Sequence, residues 1–193
     1  MGEKPAMVLE ETGQELIEAC RRGDAQALRS LFETHKDRVY SIALRYCGDS
    51  TVAMDIAQEV FLKLFSAIPN FRGESRFESW LYRIVVNCCF DYRRKSLRLG
   101  PLVGDLVGML RAPGESALHR MMRDELADSV RSAVAALPPD QRIAVVLRYT
   151  EGLSYEEIAE AVGCSEGTIA SRLNRAHRTL ERRLARVVGK QKV

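Results

Sequence analysis

The stretch LSYEEIAEAVGCSEGTIASRLNRAHRTL, Leu153 to Leu180, decides how the second half of the chain folds. Ser154 and Glu157 have the spacing of a capping box, in which a hydroxyl and a carboxylate satisfy two backbone donors that a helix start leaves orphaned. Ile158, Ala159 and Val162 give the helix that follows an apolar face, and Ala159 is small enough to let a second helix come close. Gly163 suits a left-handed turn, and Ser165 is the predicted N-cap of the second helix. Ile169, Leu173, Ala176 and Leu180 then share one stripe, leaving Ser171, Arg172, Asn174, Arg175 and Arg178 mainly outside it. Capping, turn and spacing agree on a helix-turn-helix whose second helix can enter a major groove, where arginine reads guanine and asparagine reads adenine. Ser165, Thr168, Ser171, Arg172, Asn174, Arg175 and Arg178 are the candidate duplex contacts.

Working outward, the rest of the chain is also helical in its periodicity, and no alternating strand pattern is sustained. A first helix is predicted over about Gln14 to Arg22, broken at Gly23 and Asp24, and a second from Ala25 to about Cys47, broken at Gly48 and Asp49. From Thr51, the apolar residues Ala53, Ile56, Ala57, Val60, Phe61, Leu64 and Ile68 follow a three-four spacing that Pro69 ends. After the loop NFRGES, a helix over about Arg76 to Lys95 is expected to bury Phe77, Trp80, Leu81, Ile84, Cys88 and Tyr92. Periodicity fades from Ser96 to about Ala117 among glycines and prolines, although Leu102, Val103, Leu106, Val107, Met109 and Leu110 make this linker apolar. A long helix from Leu118 to Leu137, the stop at Pro138 and Pro139, and QRIAVVLRYT closed by Gly152 complete the pattern. The fold class is all-α, with two small helical domains joined by a flexible linker. The expected boundaries are a tail and the start of the first helix over 1–23, a first domain over 24–96, the linker over 97–117, a second domain over 118–187 and a basic tail over 188–193.

Composition excludes several classes. The chain has 193 residues with 46% hydrophobic and 28% charged, which is ordinary globular material for a pair of small domains. No run approaches the roughly 18 apolar residues of a membrane span, and the N-terminus lacks a signal-peptide pattern, so a cytoplasmic protein without membrane insertion is expected. Five cysteines without a CxxC pair and only three histidines suggest reduced, buried thiols and no metal. Cys88 and Cys89 point about 100° apart on a helix and cannot share an ion. Neither a nucleophile elbow nor a P-loop nor HExxH is present, and His35, His119 and His177 are isolated, so no catalytic residue and no cofactor are expected. The net charge of +3 is modest, but its basic residues gather at Arg93 to Arg98 and from Arg172 onward.

On the helix after Thr51, Asp55, Gln58, Glu59 and Leu62 recur away from the apolar stripe and offer acceptors to a basic partner helix. On the helix from Arg76, a wheel groups Arg83, Asn87, Phe90 and Arg94 opposite Trp80 and Ile84. Cation, amide and aromatic together suit a single strand of nucleic acid.

With these residues in hand, the chain resembles an extracytoplasmic-function sigma factor of the sigma-70 family, over about Asp24 to Arg183. The resemblance rests on DIAQEVFLKLF (Asp55 to Phe65), NFRGESRF, FESWLYRIVVNCCFDYRRK (Phe77 to Lys95) and LPPDQRIAVVLRYTEGLSYEEIAEAVGCSEGTIASRLNRA, in that order. It implies an alternative sigma factor that binds core RNA polymerase and promoter DNA. Asp55, Gln58, Glu59 and Leu62 would meet the polymerase clamp, and Phe71, Arg76, Arg83, Asn87, Phe90 and Arg94 the melted -10 strand. The second domain would read the -35 duplex near the polymerase flap. A cognate anti-sigma factor is implied as a further partner. Two departures stand out: Ala170 lies where many family members carry a basic residue, and the linker is apolar where theirs is often acidic. The competing reading is a stand-alone helix-turn-helix regulator that binds duplex operators without polymerase, which would have no use for the acidic face after Thr51.

Overall fold

The computed structural model describes the backbone over residues 6–98 and 118–188 and side-chain surroundings over 13–95 and 127–185. Among the described residues, all regular structure is helical. Helix α1 (Ala6–Arg21) leads into α2 (Ala25–Cys47), whose N-cap Asp24 accepts from the amides of Gln26 at 2.8 Å and Ala27 at 3.0 Å. Those bonds hold the Asp24 carboxyl below its ordinary pKa, because they favour the ionised form. Gly48, at φ 80°, closes α2 with a left-handed residue, and Asp49 at once caps α3 (Ser50–Ala67) through the Val52 amide at 2.8 Å. Helix α3 stops two residues before Pro69, which sits inside a short 3-10 turn (Ile68–Asn70), and α4 (Phe77–Arg98) follows the loop.

Helices α2, α3 and α4 pack on one another around Leu31, Val39, Ile42, Val60, Leu64, Val85 and Cys89, each at most 1% exposed. Burying a side chain of this kind stabilises by about 1.5–3 kcal/mol. Helix α1 begins at Ala6, well before the expected Gln14, and lies against α2 and the 3-10 turn with Cys20 in the core. It packs with the helices of the first domain.

The second domain consists of α5 (Leu118–Ala135), α6 (Pro139–Thr150), α7 (Tyr155–Val162) and α8 (Glu166–Val188). Pro139 occupies the first turn of α6, where a missing amide costs nothing. The capping box forms as expected, with the Glu157 amide donating to Ser154 Oγ at 3.1 Å and the Ser154 amide donating to Glu157 Oε2 at 2.8 Å. Gly163, at φ 75°, makes the turn, and Ile158, Ile169, Leu173 and Ala176 close the core under α6. The apolar linker residues Leu102 to Leu110 lie outside the described residues.

The two domains do not stand apart. One apolar cluster runs through both, and α2 and α4 of the first domain pack on α6 and α7 of the second. At their junction Arg142 of α6 is 8% exposed. Its guanidinium donates to the carbonyls of Tyr46 at 2.8 Å and Leu137 at 3.0 Å, and to that of Ala135.

Substituting Ser154 by alanine removes one half of the capping box. It is expected to destabilise the protein by about 1 kcal/mol, readable as a lower urea midpoint with an unchanged slope, and an unaltered midpoint would show that the box contributes nothing.

Candidate nucleic-acid interface

Helix α8 starts at the cap formed by Ser165, whose hydroxyl accepts from the Thr168 amide at 3.3 Å and shares a 2.9 Å bond with the Thr168 hydroxyl. Asn174, Arg175 and Arg178 are exposed, and Ser171 is half-buried beside them. Ala170 is exposed as well. Arg172 departs from the expected pattern. Its side chain is only 23% exposed, with Nη2 3.2 Å from Asp140 of α6 and Nη1 3.8 Å from Cys164 Sγ. The reason is geometric, because Arg172 lies about 40° around the helix from the fully buried Ala176 and so sits at the edge of the core stripe. His177 is tied to α6 by a 2.6 Å bond to the Tyr149 hydroxyl.

The face of α4 needs a correction. Trp80 precedes Asn87 by two turns and lies about 20° from it around the helix, so it cannot be opposite. The buried side centres instead on Leu81, Tyr82, Val85, Val86, Cys88 and Cys89. Trp80 and Ile84, both half-buried, line a cleft of about 750 Å³ together with Asn87, Phe90, Arg93 and Arg94. Phe90 is half-buried too, its ring edge-on to Tyr46 at 6.3 Å, while Arg83, Asn87 and Arg94 are exposed. The far wall of this cleft is Pro139 and Asp140 of the second domain.

Beside the cleft, Phe71 stacks on Trp80 at 4.8 Å and meets Phe77 edge-on at 6.0 Å. Arg76, exposed, starts α4 by accepting the Trp80 amide at its carbonyl. His35 supports the cluster from below, its ring 5.6 Å from Phe77. Burial holds its pKa below the ordinary value, and the nearby Arg38 adds to that.

On α3, Asp55, Gln58, Glu59 and Leu62 form one exposed face, with Leu62 59% exposed. Met54, 62% exposed, belongs to the same face and was not singled out from the sequence, although it precedes Gln58 by one turn. Glu59 is 3.5 Å from Lys63, which reaches Asp91 at 3.2 Å, and Asp91 also pairs with Arg94. These pairs hold the Asp91 carboxyl below its usual range, the Arg94 bond most strongly. An ionic chain thus connects the acidic face of α3 to the basic end of α4. Among the described residues, no group of acids, histidines and cysteines could hold a metal ion.

Family models for Sigma-70 region 2 and Sigma-70 region 4 match residues 31–98 and 127–180. The chain is 34% identical to the RNA polymerase sigma-H factor of Pseudomonas aeruginosa, over 92% of this chain and 96% of that protein. It is 35% identical to the ECF RNA polymerase sigma-E factor of Escherichia coli, over 90% of this chain and 94% of that one. Among solved structures, the sigma factor RpoE in complex with the anti-sigma factor NepR from Bartonella quintana is similar at a TM-score of 0.62 and 25% identity, over 81% of this chain and 96% of that one. CnrH in complex with the cytosolic domain of CnrY is similar at a TM-score of 0.64 and 26% identity, over 88% and 95%. The chain belongs to the sigma-70 family. Within it, this is an alternative sigma factor of the extracytoplasmic-function group, directing transcription through domains of the kind that bind RNA polymerase and promoter DNA.

The support given by His35 titrates. Its folded pKa is depressed, so below the ordinary histidine value of about 6.5 the unfolded chain binds a proton that the folded chain does not. Stability is therefore complete above that pH and falls as pH drops toward the lowered folded value. The melting temperature is expected to decline between about pH 7 and pH 5 in the wild type and less so in His35→Phe. Parallel profiles for the two proteins would exclude His35 as the source.

Proposed function

We propose that three surfaces of this sigma factor divide promoter recognition between them. The α3 face of Met54, Asp55, Gln58, Glu59 and Leu62 binds the clamp of core RNA polymerase. The α4 face of Arg83, Asn87, Phe90 and Arg94, with Phe71 and Arg76 beside it, takes the melted -10 strand. Helix α8 enters the -35 major groove with Ser171, Asn174, Arg175 and Arg178 outward and Ser165 and Thr168 at its tip, while the second domain contacts the polymerase flap. The observation that carries the reading is the α3 face. Two large apolar side chains stand in solvent among acids on a helix whose other side is core, which is the makeup of a docking surface and not of a merely solvated one.

Arg172 has a supporting role in this scheme. Its guanidinium is engaged by Asp140, so it orients α8 against α6 while Arg175 and Arg178 meet DNA. Asn87 offers both a donor and an acceptor beside Trp80 and Phe90, which supports reading a base turned out of the stack. The protein leaves RNA synthesis itself to the polymerase, and among the described residues no helix is long and apolar enough to cross a membrane, in keeping with work in the cytoplasm. RpoE of Bartonella quintana was solved with an anti-sigma factor, and an inhibitor of that class is proposed here too, competing for the same surfaces.

Run-off transcription with purified core polymerase on a genomic promoter library tests the whole reading. Duplex footprints formed without polymerase, and no affinity for core, would instead favour a stand-alone regulator. Charge reversal at Asp55 and Glu59 is expected to weaken holoenzyme assembly with helicity intact, and unchanged core affinity would remove the clamp assignment. Asn87→Ala is expected to relax -10 base preference while leaving core binding and -35 binding in place, a result that identical preference profiles would overturn. Arg175→Ala is expected to lower the salt slope of -35 binding by about 0.9, whereas Arg172→Ala should change the slope less. Equal slopes for both variants would sink that division of labour.

A further inference from the structure

Helix α8 has more to offer a duplex than its outward face. Ser171, Arg175, Arg178 and Arg182 fall within about 60° of one another around the helix, opposite the core stripe of Ile169, Leu173 and Ala176. A helix about 10–12 Å across fills a major groove about 12 Å wide. With the outward face turned to the bases, the two edges of α8 therefore stand against the two sugar-phosphate backbones. Each edge is built together with α6, which packs on α8. At one, Asp140 in the first turn of α6 engages Arg172 at 3.2 Å. At the other, Tyr149 in the last turn of α6 shares a 2.6 Å bond with Nε2 of His177, the two rings edge-on with centroids 5.8 Å apart.

The second edge has no lysine or arginine of its own on α8. Ala170, about 20° from His177 around the helix, presents only a methyl group, and Glu181, one turn beyond His177, has the wrong charge for a phosphate. What stands there instead is the pair. Tyr149 is 63% exposed and His177 is exposed, and among the described residues neither side chain makes a second hydrogen bond or an ion pair. The bond between them fixes what the pair offers to solvent. When Nε2 accepts the phenol hydrogen, Nδ1 carries the ring hydrogen and is free to donate. When Nε2 carries the hydrogen and donates to the phenol oxygen, the phenol O–H is free instead. In either tautomer one donor is left over, which suits a partner that only accepts.

We propose that Tyr149 and His177 together form a phosphate site, whose free donor bonds one backbone oxygen at the rim of the -35 groove. A donor held in one place by its neighbour fixes position, where the long arginines of the outward face supply charge. His177 and Arg175 lie about 160° apart around α8, so this phosphate belongs to the strand across the groove from the one nearest Arg175. Held at both rims, α8 keeps one register along the groove, and Ser171 and Asn174 read base edges from that register. The inference rests on the proposed entry of α8 into the -35 groove, and the experiment separates the two.

The test uses holoenzyme on a promoter recovered from the run-off library, native and with a single uncharged methylphosphonate placed in turn at each position across the -35 element of both strands. The variant is Tyr149→Phe combined with His177→Leu, which removes every donor of the pair at two exposed positions and leaves side chains of similar size. Wild type is expected to lose about tenfold in affinity when the contacted phosphate is neutralised, the worth of one hydrogen bond to a charged acceptor. The double variant should bind the native promoter about tenfold more weakly and be indifferent to neutralisation at that one phosphate. Arg175→Ala should become indifferent at a phosphate on the other strand. Native affinity in the double variant, or sensitivity retained at every phosphate, would overturn the site. Weaker binding to core polymerase with an unaltered phosphate pattern would overturn it too, by making Tyr149 a polymerase contact. If both variants become indifferent on the same strand, the assignment of opposite rims falls. Failure of the underlying reading has its own signature: Arg175→Ala then also keeps every sensitivity, α8 does not enter the groove, and the phosphate site falls with it.

Discussion

The arrangement depends on one buried guanidinium. Arg142 has no carboxylate partner among the described residues; its two Nη groups donate to carbonyls at the C-terminal ends of two helices, Tyr46 of α2 and Ala135 of α5 with Leu137 just past it, while its Nε is buried without a hydrogen-bond partner. Those ends carry the negative pole of the helix dipole, so the cation finds compensation without an acid. Burial pulls its pKa down, yet arginine keeps its proton under any physiological condition. Removing a buried charge partner of this kind leaves orphaned carbonyls in three places at once. A single side chain therefore closes the second domain's own turn between α5 and α6 and also joins it to the first domain.

From this junction the functional surfaces follow in order. Asp140, close by in the first turn of α6, positions Arg172 and through it the start of α8, while also walling the cleft at Asn87. Along the same cleft, Lys63 and Asp91 connect the acidic α3 face to Arg94. The surfaces proposed for the polymerase, the strand and the duplex are thus joined by short chains of charged side chains, and none of them is a separate module.

Most of the fold was legible in the sequence because it is written in local signals. The breaks at Gly23 with Asp24 and at Gly48 with Asp49, the capping box at Ser154, the turn at Gly163 and the three-four stripe of α3 and α8 each act within a turn or two of the chain. The family motifs, and not spacing, supplied the partners proposed for the faces of α3 and α4. What escaped was non-local. The partner of Arg142 lies in α2 and the partners of Glu151 lie in α2 and α4, and no periodicity joins positions so far apart. The misplacement of Trp80 has a different origin. Tyr82, Val85, Val86 and Cys89 widen the buried side of α4 because that helix is covered by α2, α3 and α7 at once, and the exposed remainder is narrow enough to put Trp80 beside Asn87. Arg172 likewise looked free because its acid comes from another helix.

The junction between the two domains has a thermodynamic character set by its parts. Its polar members are the ion pairs of Glu151 with Arg38 and Glu160 with Arg83, the Tyr82 phenol and the Arg142 guanidinium on a carbonyl, and they stand around an apolar cluster that continues through both domains. Heat-capacity change scales with apolar exposure, so that shared cluster makes the junction sensitive to temperature. Ionic strength acts on it strongly, because added salt screens the partly exposed pairs. The same salt would weaken the phosphate contacts proposed for Arg175 and Arg178. Electrolyte would thus act on this chain in two places, loosening the ionic part of the junction between its domains and lowering what the proposed contacts gain from DNA.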